Sequence, residues 1–204
     1  MRRRDFLWTA AAAAARSATP ARLAVPVYRI LDARAQCPAE LVRHFRSALW
    51  PEAVRDFSRG GIDLEASEGP GEIRHSAADR PIFVGLRRGA INLLVTDHLP
   101  LYWDNSRALA GATTLYDGYH LCMIALRYAH GDQAAFLSVN TCVHELLHAL
   151  MQDIYVSRPR WYQSGGREFR VDWYATRLWL FHDGAAVRES AQSYLNRLRA
   201  AAPR

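Results

Sequence analysis

Runs of apolar residues separated by turn-forming residues divide the chain into strands followed by helices. Short apolar runs rich in Val, Ile and Leu and bounded by Gly, Pro, Asn or Asp are typical of strands. On this basis we expect strands at 24–32, 62–66, 90–96 and 121–127. Pro26 favours a sheet edge or a strand start for the first of these, because proline cannot donate a hydrogen bond to a ladder.

Apolar residues at helical spacing predict four helices. The first covers 38–58 through Leu41, Phe45, Leu49 and Phe57, with a bend at Pro51 and an end at Gly60-Gly61. The second runs from Gln133 to about Asp153 and is capped by Asp132. The third covers 167–182 and ends at Gly184, and a last helix contains Val187 and Leu198. The stretches 67–80 and 98–119 are rich in Gly, Pro and polar residues and predict loops. A small mixed sheet followed by helices indicates the α+β fold class.

Composition indicates one globular domain. The chain has 204 residues, 50% hydrophobic and 11% aromatic, which suits a single packed core and excludes a disordered chain. The formal net charge is +6, and all 26 basic residues are Arg, since the sequence contains no Lys. A basic balance of this kind favours nucleic acid as a partner only if all the charges belong to the mature protein.

The first 21 residues are similar to an export signal. Arg3-Arg4-Asp5-Phe6-Leu7 resembles the twin-arginine signature, and six alanines then form a weakly apolar stretch. The alternative is a short N-terminal helix, because alanine favours helices in either case. We predict a signal peptide at 1–21 and a single domain at 22–204, in a periplasmic or extracellular protein exported by the bacterial twin-arginine route.

Removal of this leader changes what the charge implies. Cleavage near Ala18 or Ala21 takes away four arginines and one aspartate and leaves a net charge of +3. We therefore expect no nucleic-acid partner. We also expect no stable membrane span, because no later stretch approaches the roughly 20 apolar residues that a span needs. The sequence predicts no particular oligomeric state.

The three cysteines are Cys37, Cys122 and Cys142. Their odd number forbids complete pairing within one chain, and their spacing matches no zinc-site pattern. Cys122 and Cys142 lie in apolar runs, so we expect both to be buried as small hydrophobic residues.

The segment most informative about chemistry is Thr141 to Leu150, which contains the pattern H-E-x-x-H at His144, Glu145 and His148. Histidines four residues apart lie one above the other on a helix and can direct their nitrogens at one zinc ion. Glu145 lies about 100° around the helix, where it could act as a general base on water held at the metal. Chance alone would produce such a pattern in about one in a hundred sequences of this composition.

The motif, on a helix that follows a strand, resembles the zincin metallopeptidases, and the sheet-then-helix order of 24–153 is similar to the upper half of that fold. The metzincin branch has a Gly three residues after the second His and a third ligand three residues later. Here Met151 and Ile154 hold those places, and Asp153 is one residue short of the ligand position. The chain therefore departs from the metzincin pattern.

A second motif resembles the gluzincin branch, in which a Glu of a Glu-x-x-x-Asp pattern on a following helix is the third zinc ligand. Residues 168–172 show this pattern, 20 residues after His148, which is similar to the spacing in thermolysin-like enzymes. The resemblance implies that Glu168 binds the zinc and that Asp172 accepts a hydrogen bond from His144. Asp172 itself is the alternative ligand, and an exposed acidic helix face is the other interpretation of the pair.

The resemblance implies a single catalytic Zn²⁺ and hydrolysis of peptide bonds in a peptide or protein substrate, with Glu145 as the general base. An extended substrate would pair with an exposed edge of strand 121–127. Gluzincins also use a side chain that stabilises the oxyanion or donates a proton. The candidates for that role are Tyr155, Tyr162, His182, Tyr174 and Arg177.

Two other functions stay open at this point. A zincin-like domain could bind a metal or a protein partner without turnover. A basic binding protein could carry the H-E-x-x-H pattern by accident, and it would then bind no stoichiometric zinc.

The leader makes a prediction of its own. The mass of the exported protein should correspond to a chain that begins at Thr19 or at Arg22, because the leader is removed on export. An exported chain that still begins at Met1 would contradict the assignment.

Overall fold

A six-stranded mixed sheet with helices on one face forms the described part of the chain. The computed structural model describes residues 22–33, 37–78, 80–97, 99, 110–130, 133–136, 138–151 and 184–201. The predicted signal peptide, 1–21, and the predicted helix 167–182 lie outside these residues. The α+β class predicted from the order of elements is confirmed.

The sheet has four parallel strands in its centre and an antiparallel strand at each edge. The strands are β1 (Leu23–Asp32), β2 (Ile62–His75), β3 (Pro81–Val84), β4 (Ile91–Thr96), β5 (Gly111–Tyr116) and β6 (Tyr119–Ala125). Their order across the sheet is β3-β2-β1-β4-β6-β5, with β3 antiparallel to β2 and β5 antiparallel to β6. A separate antiparallel hairpin consists of β7 (Arg127–His130) and β8 (Gln133–Phe136).

The first helical segment consists of two α-helices joined by a π-helical turn. Helix α1 (Ala39–His44) is followed by the π turn (Phe45–Leu49) and then by α2 (Trp50–Arg59). The π turn comes immediately before the first turn of α2, which contains Pro51. Because proline has no N–H to give to the carbonyl four residues back, the predicted bend takes the form of this wider turn. Gly60 caps α2, as predicted.

Two further helices, α3 (Val139–Leu150) and α4 (Gly184–Ala201), follow the sheet. The last helix was predicted from its apolar spacing and is confirmed. Gly184, which was predicted to end the preceding helix, is the first residue of α4. Within the described ranges, no helix is both long enough and apolar enough to cross a bilayer.

The core has one large and one small part, on opposite faces of the sheet. Alternate residues of β1 show the division: Val25 and Val27 face the helices, whereas Tyr28 and Ile30 face the other side. Residues of α2, α3 and α4 belong to the large cluster only. The helices therefore cover one face, and the smaller cluster on the other face is covered in part by Phe83, Leu86 and Tyr116.

Strand β2 is much longer than predicted, because its second half was assigned to a loop. It continues through Gly69, Pro70 and Gly71 while pairing in parallel with β1, and then pairs with β3. At Gly69 a Cβ atom would lie 1.8 Å from the hydroxyl oxygen of Tyr28. The glycine that suggested a turn thus permits a close approach between neighbouring strands.

Strand β5 was also missed, because it lies within the predicted loop 98–119. It forms a hairpin with β6 through the two-residue turn Asp117-Gly118, whose φ angles are 47° and 76°. Positive φ at both positions is the geometry of the tight type I′ hairpin turn that Asp-Gly favours. As a result β6, predicted at 121–127 to offer an exposed edge, is an interior strand, and β5 forms the edge of the described sheet.

The helix with the H-E-x-x-H motif starts later than predicted. Residues Gln133–Phe136 form β8, and α3 begins after Ser138, whose side chain accepts a hydrogen bond from the Thr141 amide at 3.4 Å. Ser138 is therefore the N-cap. The predicted cap, Asp132, lies outside the described residues.

The edge position that Pro26 suggested for β1 is wrong, since β1 lies between β2 and β4. The ladder between β1 and β4 begins at Val27, one residue after the proline. On that side Pro26 precedes the ladder, so its missing N–H does not interrupt the pairing.

Asn92 fixes the loop before β4 with a fully buried amide. Its Nδ2 donates to the Arg87 carbonyl at 3.0 Å and to the His120 carbonyl at 3.1 Å, while Oδ1 accepts from the Arg87 amide at 2.6 Å. One side chain thus joins β4, the loop and β6.

We predict that Asn92→Asp destabilises the protein, because a carboxylate would face two carbonyl oxygens and leave them without a donor. The free energy of unfolding in urea should fall by on the order of 1–3 kcal/mol. The matched control is Asn196→Asp on the exposed face of α4, which should change it by no more than about 0.5 kcal/mol. Equal effects in the two variants would contradict this role of Asn92.

All three cysteines are free thiols. Cys122 and Cys142 are fully buried, as predicted, and burial raises the pKa of both, to about 12 for Cys142. Burial, with the nearby Asp97 and Asp32, raises the pKa of Cys37 to about 11.

Thiol labelling should follow these pKa shifts, because only the thiolate reacts. At pH 8 the native protein should label at Cys37 alone, on the order of 100-fold more slowly than an unfolded chain, and the rate should rise with pH towards about 11. Unfolded protein should label at three sites. Rapid native labelling of two thiols, followed by mass spectrometry, would contradict the burial of Cys122 and Cys142.

Candidate metal centre

Helix α3 carries the candidate site and is buried on nearly every side. It contacts β5 and β6 of the sheet as well as helices α2 and α4. The buried positions include His144, Glu145 and the apolar residues around them. A helix this enclosed has little freedom to move, so its polar side chains are held in fixed positions.

His144 and His148 lie one turn apart on α3 with their rings close together. Their Nε2 atoms are 3.1 Å apart, and the ring planes are inclined by 82°. Two nitrogens bound to one tetrahedral zinc at about 2.0–2.1 Å would be separated by about 3.3 Å. The observed separation therefore fits a shared zinc ion, and without a metal it lets one ring donate a hydrogen bond to the other.

Both imidazoles favour the neutral form. Burial, followed by the neighbouring His148, lowers the pKa of His144 to about 3, and burial lowers the pKa of His148 to about 4. Neutral imidazole is the form that binds metal ions. The two rings are thus available as ligands across the physiological pH range.

Glu145 is buried beside the histidines and directed at strand β5. Its side chain is only 5% exposed, and its Oε2 accepts a hydrogen bond from the Thr113 hydroxyl at 2.6 Å. A buried carboxylate is costly unless it is hydrogen-bonded. The strand that covers α3 supplies this bond.

Gly111, also on β5, provides the space that Glu145 occupies. A Cβ atom at this position would lie 2.6 Å from both Cγ and Oε1 of Glu145. The Glu145 backbone carbonyl also faces the hairpin, at 3.0 Å from the Thr113 hydroxyl and 3.3 Å from the Cys122 sulfur. Side chain and backbone of Glu145 therefore both contact the β5–β6 hairpin.

The structure places the three residues of the H-E-x-x-H motif on α3, with the two imidazoles in contact and the Glu145 carboxylate directed at β5. Within the ranges that it describes, no group of three His, Cys, Asp or Glu side chains is arranged to hold a metal ion. The other predicted site residues lie outside those ranges and stay predictions: Glu168, Asp172, Asp153, Tyr155, Tyr162, Tyr174, Arg177 and His182.

The contacts of Thr113 and Gly111 with Glu145 were not predicted, because the segment was assigned to a loop. The available signal was the Asp117-Gly118 turn between two stretches that contain β-branched and aromatic residues. That signal predicts a hairpin, but it does not indicate that β5 lies over α3.

No family model, curated protein or solved structure matches the chain. Function is therefore inferred from α3 and β5 themselves.

Proposed function

We propose that the protein is an exported zinc metallopeptidase with a zincin-like fold. The observation that carries the proposal is the pair of neutral imidazoles on α3, with Nε2 atoms 3.1 Å apart, beside a buried glutamate. If the motif were an accident of sequence, the two histidine nitrogens would not need to lie within reach of one metal ion. Export rests on the similarity of residues 1–21 to a twin-arginine signal.

The donor set fits zinc. His144 and His148 would supply two neutral nitrogen ligands, Glu168 is the proposed third ligand, and Asp172 is the proposed hydrogen-bond partner of His144. When bound, zinc supplies Lewis acidity, which polarises a carbonyl group and lowers the pKa of water.

Glu145 is the proposed general base. It accepts a proton from the attacking water and then gives that proton to the leaving amine. Burial beneath β5 excludes bulk solvent from its carboxylate, and electrostatic interactions are stronger in such surroundings. Tyr155, Tyr162 and His182 remain the candidates for the oxyanion or proton donor.

The proposed substrate is an extended peptide, which would add to the sheet at β5. This strand replaces 121–127 in that role, since β5 is the edge of the described sheet on that side and contacts α3. Backbone N–H and C=O groups along an edge strand are suited to pairing with a peptide. A substrate bound there would lie on the strand whose Thr113 contacts Glu145.

We predict that zinc binding and catalysis depend on different residues of the motif. The wild type should hold about one zinc per chain and cleave casein-type substrates. Glu145→Gln should keep the zinc and lose activity by about 10²–10⁴-fold, because only the general base is removed. His144→Ala and His148→Ala should lose zinc as well as activity. Elemental analysis and a peptidase assay on the same preparations measure both properties.

The matched control is His44→Ala on the exposed face of α1, which should keep both properties. Zinc in the wild type without cleavage of diverse peptides would favour the non-hydrolytic metal-binding or protein-interaction domain. A wild type without stoichiometric zinc would contradict both zincin-like functions. Full retention of zinc by Glu168→Ala would show that Glu168 is not a ligand.

A further inference from the structure

Thr113 and Glu145 join two elements that are distant in the sequence. The threonine lies in the middle of edge strand β5 and the glutamate near the middle of α3, with a distance of 2.6 Å between Oγ1 and Oε2. A hydrogen bond from a hydroxyl to a carboxylate at this distance is short and charge-assisted. It restrains one oxygen of the only acidic side chain in the H-E-x-x-H motif.

The directions of the side chains along β5 explain why Thr113 makes this bond and its neighbours in the strand do not. Successive side chains of a strand point to opposite faces. Ala112 packs against the smaller core cluster on the far face, so Thr114 shares that face, whereas Gly111 and Thr113 face α3. The positions on this face thus hold a residue with no side chain, a residue with a hydroxyl, and the exposed Leu115, which has no side-chain donor.

These two residues act together on the carboxylate. Gly111 leaves open the volume that Cγ and Oε1 of Glu145 fill, since a Cβ there would lie 2.6 Å from each. Thr113 then holds the other oxygen. A glutamate side chain has three rotatable bonds, and a general base must lie within hydrogen-bond reach of the proton it accepts. Open space on one side and a donor on the other favour the orientation observed for the carboxylate.

We propose that Thr113 is the positioning residue for Glu145, and that Gly111 provides the space this orientation requires. The inference rests on the proposed function. Thr113 does not touch the substrate's reacting atoms in this assignment, since it acts through the carboxylate of Glu145. Its hydroxyl also lies 3.0 Å from the Glu145 backbone carbonyl. That contact would stabilise the fold without orienting the carboxylate. The test must therefore separate positioning from stability.

The test compares three substitutions in zinc-loaded, full-length protein. Thr113→Val replaces the hydroxyl with a methyl group of similar size and should lower kcat by about 10- to 100-fold while KM and zinc content stay within about twofold. Thr113→Ser keeps the hydroxyl and should restore kcat to within a few-fold of the wild type. Thr96→Val makes the same change at another buried hydroxyl-to-carboxylate hydrogen bond, which joins β4 to Asp32 of β1 at 3.2 Å, and it should leave kcat unchanged.

A second measurement does not depend on activity. The denaturation midpoints of wild type, Thr113→Val, Glu145→Gln and the double variant should be non-additive, because the two side chains contact each other. If Thr113→Val does not fold, Thr113→Ala is the second variant without the hydroxyl. Gly111→Ala should lower kcat to a similar extent, because the added methyl group displaces the carboxylate.

The possible failures are distinguishable. A wild-type enzyme that cleaves peptides, with Thr113→Val equal to it in kcat, would overturn the positioning role and leave the proposed function intact. A serine variant as slow as the valine variant, or additive midpoints, would also overturn it. A zinc-loaded wild type that cleaves nothing would overturn the proposed function, and the positioning role with it.

Discussion

A buried carboxylate on helix α3 constrains how the helix packs against the sheet. Glu145 is 5% exposed, and such a group is costly unless a hydrogen-bond donor meets it. The donor is Thr113 on β5, and the space for the side chain exists because residue 111 is glycine. This interaction joins the β5–β6 hairpin to α3, whose apolar residues pack in the large core cluster. The same hairpin contacts the Glu145 backbone carbonyl through Cys122, so the connection involves both of its strands.

The histidines follow from this placement of α3. Because residues 144 and 148 lie one turn apart on the helix, fixing Glu145 against β5 also fixes where the two imidazoles point. Their burial favours the neutral form, and their Nε2 atoms converge to 3.1 Å. A pair of neighbouring imidazoles, a buried carboxylate and an antiparallel edge strand are thus held by one helix and one hairpin. This combination is the physical basis for proposing peptide hydrolysis.

Local patterns predicted the parts that depend on local sequence. The strands now defined as β1 and β4 followed from apolar runs, and the one-turn spacing of His144 and His148 followed from helical geometry. Tertiary contacts decided the rest. Gly69 resembles a turn residue, but it serves the approach of Tyr28, and β5 is an edge strand whose importance comes from the helix beneath it. The roles of Thr113 and Gly111 depend on the packing of β5 against α3, and the hydrophobic pattern of the sequence does not predict that packing. Glu168 and Asp172 stay predictions from the motif.

The most direct test of the account is a crystal of the purified protein measured at wavelengths on either side of the zinc absorption edge. We predict one anomalous peak on α3 within about 2.1 Å of the Nε2 atoms of both His144 and His148. The peak should persist in Glu145→Gln crystals, because Glu145 is the proposed general base and not one of the proposed ligands. Two imidazoles joined by a direct hydrogen bond in zinc-soaked crystals, with no peak between them, would contradict it.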